Sequence, residues 1–193
     1  MIASLNKTRI PGCIELHLRC HSDERGRFLK TFQRDEFAQL GLDVDFVETF
    51  ATTSSTGVLR GMHLQLPPAD HSKLVYCLAG RAQDIVLDLR KGSPMYGQHE
   101  VIDLSADNGN AVFIPKGVAH GFCVIEAPTV MMYHVTAQHV PHLDSGVRWD
   151  SFGAEWAVST PVISRRDAAL PSVSRFDSPF AFTHYVQGGQ SNG

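Results

Sequence analysis

The chain has 193 residues, 43% hydrophobic and 19% charged, with 17 Lys and Arg against 20 Asp and Glu. This predicts one globular domain, residues 1–193, and excludes collagen, coiled-coil and wholly disordered chains. A net charge of -3 shows no basic excess, so no nucleic-acid partner is expected, and no apolar run approaches the roughly 20 residues that cross a bilayer.

The N-terminus, MIASLNKTRIPG, lacks the apolar stretch that directs export, so the protein is expected in the cytoplasm. Cys13, Cys20, Cys77 and Cys123 form no Cys-x-x-Cys pair and read as reduced, mostly buried thiols. The first helix is expected over Arg34–Leu40, stopped by Gly41. Lys73–Ala79 is rich in β-formers and is followed by Gly80-Arg81, which reads as a turn. Asp84–Leu89 alternates, with Ile85, Leu87 and Leu89 on one face and Asp84, Val86 and Asp88 on the other. Strands are expected at Gln98–Leu104, Ala111–Ile114, His120–Ile125 and Thr129–Thr136. The breaker-rich segments Ser105–Asn110, Pro115–Gly117 and Glu126–Pro128 separate them. A second helix is expected over Ser164–Leu170, capped by Ser164 and closed before Pro171. The low-complexity end, about residues 186–193, is expected to be mobile. Short strands at this spacing predict a mainly β sandwich or barrel with a few short helices.

Two segments carry the chemistry. Gly57–Gly80 contains Gly, five residues, His63-Leu-Gln65, and later Lys73. Gly109–His120 reads Gly, five residues, Pro-Lys-Gly, two residues, His. Together they resemble the two motifs of the cupin superfamily, which implies a jelly-roll β-barrel. Metal-binding cupins place three His and one Glu around a cation. Here Gln65 stands at one His position and Lys73 at the Glu position. A site short of two ligands and holding an ammonium should bind cations poorly, so neither a metal nor another cofactor is expected.

The resemblance narrows at Gly57-Val-Leu-Arg-Gly-Met-His63, Asp23-Glu-Arg-Gly26, Asp88-Leu-Arg90, Ile114-Pro-Lys-Gly117, Tyr133 and Arg148-Trp-Asp150. From about Pro11 to Pro171 the chain is similar to the dTDP-4-dehydrorhamnose 3,5-epimerase family. That implies inversion at C3, C5 or both of a nucleotide-linked 4-keto-6-deoxy sugar, through an enolate, in deoxysugar biosynthesis. By resemblance His63 is the base, Asp167 orients it, Lys73 stabilises the enolate oxygen, and Tyr133 returns a proton to the opposite face. Without the family, Tyr133 reads equally as a core aromatic and Asp167 as a solvent-facing residue of a capped turn.

The resemblance also implies substrate contacts from Arg25, Phe28, Lys30, Glu48, Phe50, Arg60, His120, Asp144 and Arg166. Arg25 and Phe28 would serve the cavity of a homodimer partner, reached by an exchanged N-terminal strand. Arg60 and His63 are three residues apart and would face opposite ways on a regular strand, so a bulge or bend at Gly61 is expected if both reach the cavity. The recognition shell departs from the family at Glu48 and Phe50, where Gln and Asn are usual. It departs again at Lys30, where Glu is usual, and at Gln138 beside His139, where an aromatic is usual. A dTDP-linked substrate is the first expectation, with CDP-, GDP- and UDP-linked sugars open. A cupin 3,4-ketoisomerase of a nucleotide sugar and a non-catalytic sugar-nucleotide-binding cupin are the alternatives.

Overall fold

The structure is a computed structural model that describes residues 1–183, so the expected mobile tail lies outside the described residues. Eleven strands and two short helices make up the described fold. The strands are β1 (Ile2–Lys7), β2 (Ile14–Leu18), β3 (Cys20–Asp23), β4 (Gly26–Leu29), β5 (Glu48–Ser54), β6 (Leu59–Gln65), β7 (Lys73–Asp88), β8 (His99–Ser105), β9 (Asn110–Ile114), β10 (Val118–Val135) and β11 (Asp144–Gly146). The helices are α1 (Arg34–Ala38) and α2 (Arg165–Ala168).

Two long strands organise the barrel. The first half of β7 pairs with β9 and its second half with β8, while β10 pairs with β7 along both halves. β10 also pairs with β6 through its first half and with β5 through its second. One sheet therefore runs β1-β2-β9-β7-β10-β5 and the other β8-β7-β10-β6-β11, with β7 and β10 common to both. This is the expected jelly roll.

The expected turn at Gly80-Arg81 is instead a bend inside β7. Opposite it β10 advances four residues, Glu126 to Val130, against two on β7, Arg81 to Ala79. The bulge absorbs Pro128 without ending β10. Gly80 has φ 73°, and a Cβ there would lie 2.2 Å from the Glu126 carbonyl oxygen, so the bend requires glycine.

Alternation then sorts the core. Val75, Cys77, Val86, Phe122, Met131 and Tyr133 point between the sheets, where Val112, Ile114 and Leu104 meet them. Leu74, Tyr76, Phe113 and Leu16 face outward under Phe37 of α1. Ile85, Leu87 and Leu89 take the face expected for them, and that outer face is buried too. Val147, Phe152, Trp156, Phe176 and Phe180 of the C-terminal segment cover it. Both faces of β7 are therefore largely buried, as in strands covered on both sides.

β3 and β4 form a separate hairpin, paired only with each other. β1, β3 and β5 are mostly polar and exposed, so apolar alternation does not mark them; β2, not among the expected strands, does alternate, with Leu16 and Leu18 buried. The helices are shorter than expected, but Ser164 caps α2 as expected, its Oγ accepting from the Asp167 N–H at 3.0 Å.

Candidate active site

A cavity of about 340 Å3 opens between the sheets. β5 contributes Glu48, Phe50 and Thr52; β6 contributes Arg60, His63 and Gln65. Lys73 enters from β7, and His120 and Tyr133 from β10. Asp144 and Arg166 close the rim with His71 and His139.

The Arg60–His63 pair arrives by the expected bulge. His63 pairs with His120 and Arg60 with Phe122, so β6 spends three residues where β10 spends two. The extra residue turns Arg60 and His63 to the same cavity. Gly61 makes this possible at φ 143°. A Cβ there would sit 2.5 Å from the Cα of Gly121, so the two strands meet backbone to backbone.

His63 Nε2 lies 2.8 Å from Asp167 Oδ1. Asp167 is only 3% exposed, and its Oδ2 accepts from the Gly61 N–H at 3.3 Å. Burial works to raise the Asp167 pKa, but the hydrogen bonds from His63 and Gly61 and the His63 charge outweigh it and hold the carboxyl below its usual range. An ionised Asp167 accepts an N–H, so it places the imidazole proton on Nε2 and leaves Nδ1 as a basic lone pair. The solvent-facing reading of Asp167 is excluded.

Lys73 is 8% exposed and donates from Nζ to the His63 carbonyl oxygen at 3.1 Å. Burial lowers its pKa to about 8, with Asp144 and Asp84 holding it up against Arg166. Its charged form is therefore lost as pH rises through about 8. The kcat/KM profile is expected to show an alkaline limb there, and Lys73→Arg, which keeps its charge, is expected to move that limb upward. A limb unmoved in Lys73→Arg would assign it to another group.

Tyr133 is fixed by rings. Phe50 stacks on it with centroids 4.7 Å apart at 11°, and His120 meets it edge-on at 5.9 Å. A phenol gives up its proton either with a lowered pKa or by lending it transiently. Here burial and then the Asp84 charge push the phenol up, with Thr52 and Arg60 opposing, which leaves the second route. Tyr133 is thus protonated across the working range, a loaded acid. His120, 4% exposed, pairs through Nε2 with the buried Asp84 at 2.7 Å, giving a second His–Asp pair beside the first.

Other expected contacts take different parts. Glu48 lines the cavity, but its Oε2 accepts from the His139 N–H at 2.9 Å and so ties the loop after β10 to β5. Asp144 bridges Arg166 at 2.7 Å and His139 at 3.1 Å. Arg25, Phe28 and Lys30 stand apart from this cavity on and beside the β3–β4 hairpin, with Phe28 62% exposed and the Arg25 side chain 84% exposed. Thr52 and His71 line the cavity without having been expected there.

Comparison with known proteins decides the family. The model of the dTDP-4-dehydrorhamnose 3,5-epimerase family matches residues 7–175. The chain belongs to that family. A dTDP-4-dehydrorhamnose 3,5-epimerase of Shigella flexneri is 37% identical over 164 residues, 83% of this chain and 91% of that protein. The crystal structure of the Bacillus anthracis epimerase, with TDP and PPi bound, is 33% identical with a TM-score of 0.84, covering 88% of this chain and 99% of that one. The Legionella pneumophila dTDP-6-deoxy-D-glucose-3,5-epimerase, in complex with dTDP-4-keto-L-rhamnose, is 31% identical with a TM-score of 0.88, covering 93% and 100%. The barrel is therefore of cupin type, and the protein is an isomerase, an epimerase acting on carbohydrate in deoxysugar biosynthesis.

Proposed function

We propose that the protein inverts carbon centres next to the ketone of a dTDP-linked 4-keto-6-deoxy sugar, using His63 as base and Tyr133 as acid. The observation that carries this is one cavity holding the His63–Asp167 pair, the Lys73 ammonium and the protonated Tyr133 phenol. A proton next to a ketone leaves only if the enolate oxygen is stabilised. His63 Nδ1 takes that proton, Lys73 meets the oxygen, and Tyr133 returns a proton to the other face. The Gln65 amide is anchored by its bonds to Ala69, Gln138 and Val140, and Lys73 brings positive charge where a cation would sit. Arg60, which donates to Ser54 Oγ at 3.0 Å, has the planar fork suited to a diphosphate. The test is proton NMR of dTDP-4-keto-6-deoxyglucose with the protein in 2H2O. Deuterium entering at C3 or C5 is expected; CDP-, GDP- and UDP-linked analogues rank the nucleotides, and no label in any of them would refute the reading.

The working unit in this reading is a homodimer in the cytoplasm. The four cysteines are free thiols, which a reducing compartment preserves. The β3–β4 hairpin carries Phe28 and Arg25 out into solvent, and among the described residues β1 leaves a sheet edge unpaired. Docking the hairpin over a partner's cavity would bury that phenyl ring, bring a guanidinium to a nucleotide diphosphate and cover the edge. Sedimentation at micromolar concentration is expected to show a dimer. A monomer would leave the cavity without Arg25 and Phe28.

A further inference from the structure

His71 sits half-buried in the cavity wall, two residues before Lys73. Its protonation is fixed by Gln65. The Gln65 Oε1 accepts from the Val140 N–H at 2.5 Å, while Nε2 donates to the carbonyls of Ala69 at 2.7 Å and Gln138 at 3.1 Å. A flipped amide would set an oxygen against two carbonyls and an N–H against an N–H, so this orientation is forced. The same Nε2 lies 3.0 Å from His71 Nδ1. Both Nε2 hydrogens are engaged by those carbonyls and an amide nitrogen does not accept, so a proton on Nδ1 would face an N–H; the ring avoids this by leaving Nδ1 bare. The imidazole proton is therefore on Nε2, and an imidazolium would set N–H against N–H. The Nε2–H has no protein partner among the described residues.

We propose that His71 is a catalytic residue that donates Nε2–H to the substrate oxygen on which enolate charge collects, as the neutral partner of the Lys73 cation. This rests on the epimerase reading above. A second cation beside Lys73 would repel it, whereas a neutral donor adds a hydrogen bond to the same oxygen without that cost. Burial and then the Lys73 charge lower the His71 pKa to about 3, so the ring stays neutral wherever the protein works. Nearby carboxylate acceptors are already engaged: Asp144 by Arg166 and His139, and Glu48 by the His139 N–H.

The test compares the full chain with His71→Leu, which removes the donor, and His71→Gln, which offers an amide N–H. Deuterium entry into dTDP-4-keto-6-deoxyglucose is read by NMR and dTDP binding by calorimetry. Exchange in His71→Leu is expected to fall about 10²-fold, with dTDP affinity within about twofold of wild type and much of the rate restored in His71→Gln. Exchange within about threefold of wild type in His71→Leu overturns the proposal, and so does a parallel loss of dTDP affinity, which marks a structural role. Nitrogen-15 spectra of the wild-type imidazoles decide independently of how any variant folds. A proton on Nδ1 of His71 overturns the proposal, and a proton on Nε2 alone supports it. A wild-type protein that exchanges no label refutes the epimerase reading and this proposal with it; exchange in wild type undiminished in His71→Leu refutes this proposal alone.

Discussion

Replacing His63 by alanine is expected to abolish both solvent exchange and net inversion. No proton leaves carbon without a base, and the loss of a positioned base costs about 10²–10⁴-fold. The larger figure is expected here. His120, the cross-strand neighbour of His63 in the cavity, has its Nε2 engaged by Asp84 and sits on the wall with Tyr133. Asp167→Asn is expected to cost less, because the amide can hold the ring while losing the charge that favours the imidazolium. Its effect should appear in the same exchange assay. A silent Asp167→Asn would mean that the 2.8 Å bond to His63 does not serve catalysis.

Tyr133→Phe is expected to separate the two halves of the reaction. Proton removal by His63 uses nothing from the far face, so deuterium should still enter the substrate. Without the phenol the enolate is reprotonated mainly from the side it left, and inverted product should fall about 10²-fold or more. The ring keeps its stack on Phe50 and its edge contact with His120, so packing survives and the change is chemical. The ratio of label incorporated to product formed is the diagnostic. A ratio equal to wild type, with both rates reduced, would make Tyr133 a support for the enolate and send the search for the acid elsewhere. Both rates unchanged would reduce it to a core aromatic.

The sequence was most informative where the chemistry restricts residue choice. The glycines and prolines of the two motifs, the His63 and His120 positions and the Gln65 and Lys73 replacements were readable because each needs a particular conformation or charge. The Arg60–His63 spacing pointed to a bulge or bend, because two residues three positions apart cannot share a strand face without one. Gly80 misled because a positive φ marks a tight turn and a bend within a strand alike; only its partner strand distinguishes them. Pro128 misled similarly, since a bulge accommodates a residue that cannot donate to the ladder. The Tyr133 pKa depends on Asp84, 49 residues away in the chain, and no local pattern carries that. His71 lies in plain view within LPPADHS, but its meaning rests on the orientation of the Gln65 amide, set by the nearby Ala69 carbonyl and by two backbone groups, of Gln138 and Val140, brought from elsewhere.

Since β7 and β10 each run through both sheets, the two walls of the cavity are covalently one piece. Lys73 and Tyr133 are therefore fixed relative to each other by paired backbone, and His63 is tied to the same strand by its pairing with His120. For anyone redesigning this scaffold, that divides the labour. On the proposed function, His139, exposed at the rim, is the position to vary for a new nucleotide, while Phe50 stays because it stacks on Tyr133. The bend at Gly80 and the crossing at Gly61 and Gly121 are the chassis and should be left alone.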